Sequence, residues 1–377
     1  MELLVDLSLT KEQEGLRDTA RDFMGRECPS SLLKQLDKTE TGFSADLWKK
    51  TAELGWTGIL IPPEYGGVGG SLTDTVVLYE ELGRGLLPGP HHSSTILCAL
   101  LILEGGTKKQ KEQLLPAIAK GQRILTLAFT ELDYGWVPES VQLKAARKGE
   151  GYVLTGTKLF VPDVPSADQL ICAARTGTGD KGITLFLVDK KAPGVSSRVL
   201  KGFLGQKLSE VKFDQVQVRQ ENVLGEVGHG WTTIAKVMDR ASTVLSGYMA
   251  GAVQKVLDMS MDYAHKRVQF GVPIAKFQRV QDRLIEMRDH ADKAHLTTYE
   301  AASKLENGGG AIEASIAKAV VSDALYYGCD EAHHVHGGVG SDKRFDLFLY
   351  TQTSRSLYHY MGDPAHHRKR LAALLEL

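Results

Sequence analysis

The stretch that decides the fold is RVQFGVPI at residues 267–274, which Phe277 and Gln278 follow closely. It places an arginine at the end of a helical run, then an aromatic residue, a tight turn and an amide. A guanidinium and an amide beside an aromatic ring can hold a pyrophosphate and an adenosine. Taken alone, the same turn is also typical of a plain connection between two helices.

A second motif, HGGVG at residues 336–340, lies further along the chain between two helical runs. Glycines let a backbone approach a ligand closely and present N–H groups to an anion. Many glycine pairs are only helix caps, so the motif is weak by itself. It does not follow a strand in the spacing G-x-G-x-x-G, so a Rossmann nucleotide site is not indicated.

The composition is that of an ordinary globular protein with two or three packed units. The chain has 377 residues, of which 42% are apolar and 24% charged, and its formal net charge is −1. No basic stripe with interleaved aromatics occurs, so nucleic acid is not expected as a partner. The cysteines show no C-x-x-C spacing, so no metal site is expected. No apolar run is long enough to span a bilayer and no signal-peptide pattern occurs, so a cytoplasmic location is expected.

Three regions of the chain differ in hydrophobic pattern. Residues 1–123 read as helical, residues 124–230 as short β-rich runs separated by glycine-containing turns, and residues 231–377 as long helices again. This order predicts an α+β protein. We expect an N-terminal α-helical domain, a middle antiparallel β domain and a C-terminal four-helix bundle.

The two glycine-containing motifs together resemble the acyl-CoA dehydrogenase family, and the resemblance covers essentially the whole chain. AFTE at residues 128–131 and GTKLFV at residues 156–161 look like the two flavin-contacting strands of that family. GEVGHGW at residues 225–231 is similar to the lead-in to its C-terminal helices. The resemblance implies FAD as the cofactor, lying across a subunit interface, and α,β-dehydrogenation of an acyl-CoA thioester as the reaction.

That reaction needs a base, and the sequence lacks it at both expected positions. In the family a carboxylate removes the α-proton while the β-hydride passes to the flavin. The usual glutamate position is Met361 here, and the alternative position on the first helix of the bundle is Ala241. Neither a thioether nor a methyl group accepts a proton. His91 and His92, near the expected acyl tail, are the candidates for a displaced base.

The resemblance also assigns binding roles residue by residue. The expected cofactor-binding residues are Thr130, Phe160, Val161, Arg267, Phe270, Gln278, His334, Gly337, Gly338 and Asp363. The expected substrate residues are Asp239, Arg240, Ser242 and Tyr360. Asp239 and Arg240 are predicted near the start of a helix, where an aspartate is also a common cap. Trp136 replaces a small residue of the family, so it either narrows the acyl pocket or packs on the sheet.

Several functions follow from a family fold without its base. The chain resembles bacterial subunits such as the pimeloyl-CoA dehydrogenase small-subunit type, which implies a heteromer whose partner supplies the base. A bulky, cyclic or dicarboxylic acyl group and electron transfer to an electron-transferring flavoprotein are expected by the same resemblance. Homotetramer and heterotetramer, the latter with a paralogous subunit, both stay open. The alternatives are a displaced base, a non-catalytic structural homologue, and an oxygen-reacting enzyme like the acyl-CoA oxidases.

Overall fold

The N-terminal part is built from short amphipathic helices that begin at polar caps. A computed structural model of the chain describes residues 8–202 and 206–377. Thr10, Ser71 and Thr107 each form a capping box at a helix start. The helices are α1 Lys11–Glu27, α2 Ser30–Asp37, α3 Ala45–Glu53, α4 Leu72–Arg84, α5 Ala99–Gly105 and α6 Lys108–Ala119. A π-helical segment, His91–Cys98, runs directly into α5.

The middle part is a single sheet of eight strands. The strands are β1 Leu125–Ala128, β2 Lys144–Lys148, β3 Gly151–Pro162, β4 Gln169–Arg175, β5 Ile183–Asp189, β6 Val195–Val199, β7 Leu208–Arg219 and β8 Val223–Leu224. Their order in the sheet is β6-β7-β3-β2-β4-β5-β8, with β1 beside β4. Most pairs are antiparallel, as expected. β1 instead lies parallel to β4, and β2 touches β4 in parallel at one residue pair. The intervening β2–β3 hairpin supplies the long crossover that a parallel pair needs.

The C-terminal part is a bundle of long helices around α7. Its elements are α7 Gly230–Lys266, β9 Val268–Gln269, β10 Val272–Pro273, α8 Gln278–Glu306, α9 Ala311–His336, α10 Leu347–His359 and α11 Pro364–Leu374. α7 packs against α4, α8 and α9. Since α7 begins at Gly230, Asp239 lies well inside it, and its predicted position near a helix start was wrong.

Glycines explain the close packing of α4 on α7. Gly247 and Gly251 both lie within α7. A Cβ at Gly251 would lie 1.8 Å from the carbonyl oxygen of Glu80, and one at Gly83 would lie 1.8 Å from that of Tyr248. Only glycine permits this approach, so α4 and the π-helical segment that follows it lie directly against the middle of α7.

One apolar core joins the N-terminal helices, one face of the sheet and the bundle, and a second core fills the β domain. Among the described residues, no helix is both long and apolar enough to cross a membrane. The same residues contain no group of three or more His, Cys, Asp or Glu side chains placed to hold a metal ion.

Candidate active site

The loop that carries the first empty base position connects α10 to α11. Met361 is fully buried and adopts a left-handed backbone, with φ of 62°. That conformation is costly for a residue with a side chain, so surrounding contacts must hold it. His367 places Nε2 3.0 Å from the Met361 carbonyl oxygen, and Lys318 donates from Nζ to the Gly362 carbonyl oxygen at 3.0 Å. Two buried side chains therefore fix this loop.

Lys318 is an unusual support because it is itself fully buried in α9. Burial lowers the pKa of its ammonium group to about 7, and the nearby Asp363 and Asp323 oppose that shift. Besides Gly362 it donates to Ser322 Oγ at 2.8 Å. Asp363 has a structural contact as well, because its carboxylate accepts the backbone N–H of His366 and caps α11.

The π-helical segment brings His92 to the second empty base position. Nε2 of His92 lies 2.8 Å from the carbonyl oxygen of Ala241 on α7. A carbonyl only accepts, so Nε2 carries the proton and Nδ1 is an acceptor. Nδ1 is buried and has no partner among the described residues. The His92 ring also meets the ring of Tyr360 edge-on at 5.6 Å, so His92, Ala241 and the Met361 loop converge.

Burial makes both histidines weak bases. It lowers the pKa of His91 to about 3 and that of His92 to about 4, although the Ala241 carbonyl opposes the shift at His92. His91 packs its ring on Trp48 with centroids 4.9 Å apart. Both rings are therefore neutral at neutral pH, free to accept a proton but with little driving force to keep it.

These buried rings predict a loss of stability in acid. The unfolded chain protonates His91 and His92 below about pH 6.5, whereas the folded chain resists until pH 3 to 4. The contribution of these histidines to the free energy of unfolding is therefore fully present above pH 7. It falls as the pH decreases, by about 2 kcal/mol per histidine between pH 7 and pH 5. Urea unfolding at pH 7 and at pH 5 measures this difference in the free energy of unfolding. His91→Gln and His92→Gln should each reduce the difference, whereas His229→Gln, at an exposed position, should leave it unchanged.

An inner cavity opens beside Tyr360 and His92, with about 150 Å³ available to the centres of water-sized molecules. Leucines of several helices contribute to its lining, among them Leu33, Leu82, Leu245 and Leu357. Tyr360 is nearly fully buried, and its hydroxyl has no partner among the described residues. Its lining combines apolar side chains with a few polar groups, as is typical of a site for a small molecule.

Asp163 also lines the inner cavity, and sequence reasoning missed it. It follows β3 with φ of 56° and is buried. Its Oδ2 accepts the Ser93 hydroxyl at 2.6 Å. Burial raises the pKa of this carboxyl to about 6, and the Ser93 hydrogen bond limits the rise. The signal was an aspartate directly after the predicted flavin strand, but nothing in the sequence gave its direction.

A second cavity, called the outer cavity, lies beyond Trp136. Its lining includes Trp136, Trp231, Asp239, Ser242 and Arg370. Arg370 binds both carboxylate oxygens of Asp239, at 2.5 and 2.9 Å, and the Ser242 hydroxyl is donated to the Asp239 carbonyl at 3.1 Å.

Two aromatic rings separate the cavities. Trp136 packs on Phe129 at 5.2 Å and meets Tyr360 edge-on at 5.7 Å. Since Trp136 lines the outer cavity and Tyr360 the inner one, this pair forms the boundary between them. Arg240, the fourth predicted substrate residue, is exposed and lines neither of these two cavities.

The predicted flavin strand is bent where the cofactor is expected. The pairing of β3 with β7 shifts register between Lys158 and Val161, and Phe160 there has φ of 57°. Thr130 donates its hydroxyl to the Leu159 carbonyl at 2.5 Å. Val161 turns its side chain into the β-domain core with no exposure, so only its backbone is available to a ligand. The bulge directs Phe160 out of the sheet.

The remaining predicted cofactor residues form an exposed group at one end of the bundle. Arg267 ends α7, and Phe270 with Gly271 forms the two-residue turn of the β9–β10 hairpin, both with positive φ. Phe270 is 94% exposed. A Cβ at Gly337 or Gly338 would meet nothing within 4 Å.

The hairpin and the glycine turn are neighbours, because Tyr263 near the end of α7 stacks on His336 at 4.4 Å. Gln278 and His334 are exposed too. An unpaired guanidinium, an exposed aromatic ring and open glycine backbone are the groups that a diphosphate and an adenine require, so these residues fit FAD. None of them lines the two cavities described above, as expected if they serve a neighbouring subunit.

Comparison with known proteins finds similar sequences and similar structures over nearly the full length of the chain. Sequence models of the acyl-CoA dehydrogenase N-terminal, middle and C-terminal domains match residues 10–122, 126–216 and 228–375. The 3-(aryl)acrylate reductase of Clostridium sporogenes is 33% identical, with 94% of this chain and 95% of that protein covered. The caffeyl-CoA reductase-Etf complex subunit CarC of Acetobacterium woodii is 32% identical, with 94% and 95% covered. The solved ChsE4-ChsE5 complex from Mycobacterium tuberculosis is similar at 25% identity and a TM-score of 0.89, with 99% of both chains covered.

Proposed function

The chain belongs to the acyl-CoA dehydrogenase family of FAD-dependent oxidoreductases, and we propose that it works in a heteromer whose second family chain supplies the catalytic base. The observation that carries the proposal is the chemistry of the two base positions. Met361 and Ala241 are both fully buried and neither has an atom that accepts a proton. The cavity beside them and the exposed cofactor-binding group are nevertheless both formed.

In this proposal the two chains have different roles. When bound, FAD supplies the hydride acceptor for the reaction. Arg267, Gln278 and the backbone of Gly337 would hold its diphosphate and adenosine end in the partner's site. The bent strand around Phe160 would hold a flavin ring in this chain's own site. This chain thus completes the partner's active site, while its own site binds substrate without removing the proton.

The inner cavity supports a bulky acyl group as the ligand. Its leucines favour an apolar skeleton, and they come from helices on several sides of the cavity. The outer cavity would take the thioester arm, with Trp136 and Tyr360 at the boundary.

Two relatives support the proposed partners. The ChsE4-ChsE5 structure is a complex of two named components, and CarC is a subunit of a reductase-Etf complex. We therefore propose a heterotetramer with a paralogous chain, and an electron-transferring flavoprotein as the redox partner. The exposed Arg267 and Phe270 match an assembly in which each cofactor is shared between two subunits.

An anaerobic titration tests the proposed division of labour. We expect the purified chain, with FAD bound, to keep its visible flavin absorbance when straight, cyclic and dicarboxylic acyl-CoAs are added. Addition of the second family chain should produce bleaching by one of them. Bleaching of the isolated chain at a normal enzymatic rate would contradict the heteromer.

A displaced base is the second candidate, and the contact of His92 with Ala241 favours it. His92 is the one predicted base that reaches an empty base position, at 2.8 Å from its carbonyl oxygen. If the isolated chain bleaches, His92→Gln should abolish the bleaching while His91→Gln, whose ring packs on Trp48, should retain it. Equal activity of both variants would remove this candidate.

A further inference from the structure

The part of the inner cavity's lining around Tyr360 also contains His92 and Asp163, and these three residues are called the polar wall; other polar residues, such as Gln206 and Gln352, line the cavity elsewhere. From this wall we infer that the chain selects acyl-CoA thioesters whose apolar acyl group carries a hydroxyl group. The inference rests on the proposed function, because it requires that the inner cavity receives the acyl group. It specifies the class of acyl group, because the leucines of the cavity indicate only that this group is largely apolar.

The first step is that the polar wall holds unused hydrogen-bonding capacity. His92 Nδ1 and the Tyr360 hydroxyl are both buried without a partner among the described residues. Asp163 uses Oδ2 for the Ser93 hydroxyl, while no described residue donates to its Oδ1. A buried polar atom without a partner costs about 1–3 kcal/mol, and a bound ligand can remove that cost. Two buried atoms without a partner, beside the Asp163 carboxylate on one cavity, therefore indicate a polar ligand group.

The second step is that the wall mainly accepts hydrogen bonds. Nδ1 of His92 is an acceptor because Nε2 carries the proton toward the Ala241 carbonyl. The Asp163 carboxylate is an acceptor, and the Tyr360 hydroxyl can donate or accept. A ligand that matches this set must bring a donor. A hydroxyl group brings one donor and can also accept from Tyr360.

The third step excludes a free carboxylate as the preferred group. A carboxylate offers only acceptors and a negative charge, and it would face Asp163 in a buried site. The cation at the mouth, Lys207, is already committed, because Nζ donates to the Asp37 carbonyl at 2.6 Å and lies 3.5 Å from its carboxylate. The polar wall therefore argues against a dicarboxylic acyl group and for a hydroxylated one.

The test compares hexanoyl-CoA with its 4-, 5- and 6-hydroxy derivatives by calorimetric titration of the FAD-loaded protein. We expect at least one hydroxy derivative to bind about tenfold more tightly than hexanoyl-CoA, the value of one well-made hydrogen bond. Tyr360→Phe and Asp163→Asn should each bring that ratio of Kd values toward one. Because the readout is a ratio within one variant, a general loss of affinity cancels.

Thr353→Val is the matched control. Thr353 lines the same cavity, but its hydroxyl is donated to the Leu349 carbonyl at 2.9 Å. Its ratio should equal that of the unmodified chain. Equal binding of hexanoyl-CoA and all its hydroxy derivatives would overturn the inference and leave the proposed function standing. Binding of no acyl-CoA at all would overturn both.

Discussion

Met361→Glu is expected to give the isolated chain acyl-CoA dehydrogenase activity about 10²- to 10⁴-fold above its own background, the usual contribution of a positioned general base. The loop needs no rebuilding, because His367 and Lys318 hold it through carbonyl oxygens of residues 361 and 362 rather than through the Met361 side chain. A glutamate has nearly the length of methionine and would enter a site already closed to solvent. Burial should raise its pKa toward neutrality, where a base is most effective.

Anaerobic bleaching of the flavin by hexanoyl-CoA measures this gain. Met361→Gln is the matched control, since it has the shape of glutamate and no proton-accepting carboxylate. It should stay at background. If Met361→Glu folds and binds FAD and acyl-CoA but does not exceed Met361→Gln, then residue 361 does not face the α-carbon. The missing base at residue 361 would then not account for the inactivity that the heteromer proposal expects of the isolated chain.

The sequence alone predicted those turns whose structure depends on residues that are neighbours along the chain. RVQFGVPI combines an arginine at a helix end with a Phe-Gly pair, and the hairpin with its exposed ring follows from those residues. The glycine turn at 337–338 is local in the same way. The long-range contacts were not predictable. His92 and Ala241 are 149 positions apart, and their contact depends on glycines that allow α4 to lie against α7.

The directions of the Asp163 and Asp239 side chains could not be predicted either. The sequence shows each of them only as an acidic residue near a predicted helix or strand. Burial against Ser93 directs one into the inner cavity, and the pair with Arg370 holds the other at the outer cavity. These partners come from distant segments, so neither direction can be read from spacing.

Backbone strain occurs at three residues of the predicted site segments. Phe160, Phe270 and Met361 are non-glycine residues with positive φ, and the resemblance assigns each to the cofactor or to a base position. Such conformations cost about 1–3 kcal/mol and collect at functional sites. Other non-glycine residues with positive φ, among them Gln215 and Glu376, lie outside these segments. The strain at Met361 is consistent with the binding role proposed for its loop.

Arg267→Met is expected to weaken FAD retention by the assembly about 10- to 100-fold, the loss of one charge-assisted hydrogen-bonding group. Arg267 is exposed, and its guanidinium makes no hydrogen bond or ion pair with any described residue. The free energy of unfolding should therefore change little. If the group around Arg267 serves the partner's cofactor, the FAD lost should be that of the partner's site.

Assemblies in which only this chain carries the substitution distinguish the FAD site of the partner from the FAD site of this chain. The FAD-to-protein ratio after dialysis, with Arg267→Met in this chain only, should fall by the cofactor of one site. Arg279→Met is the matched control, because Arg279 is also exposed, lies close in sequence and, among the described residues, pairs with Asp282 at 3.3 Å. It should retain FAD fully. Full retention by Arg267→Met as well would contradict the shared site, and with it the reason why a chain without a base is retained in the assembly.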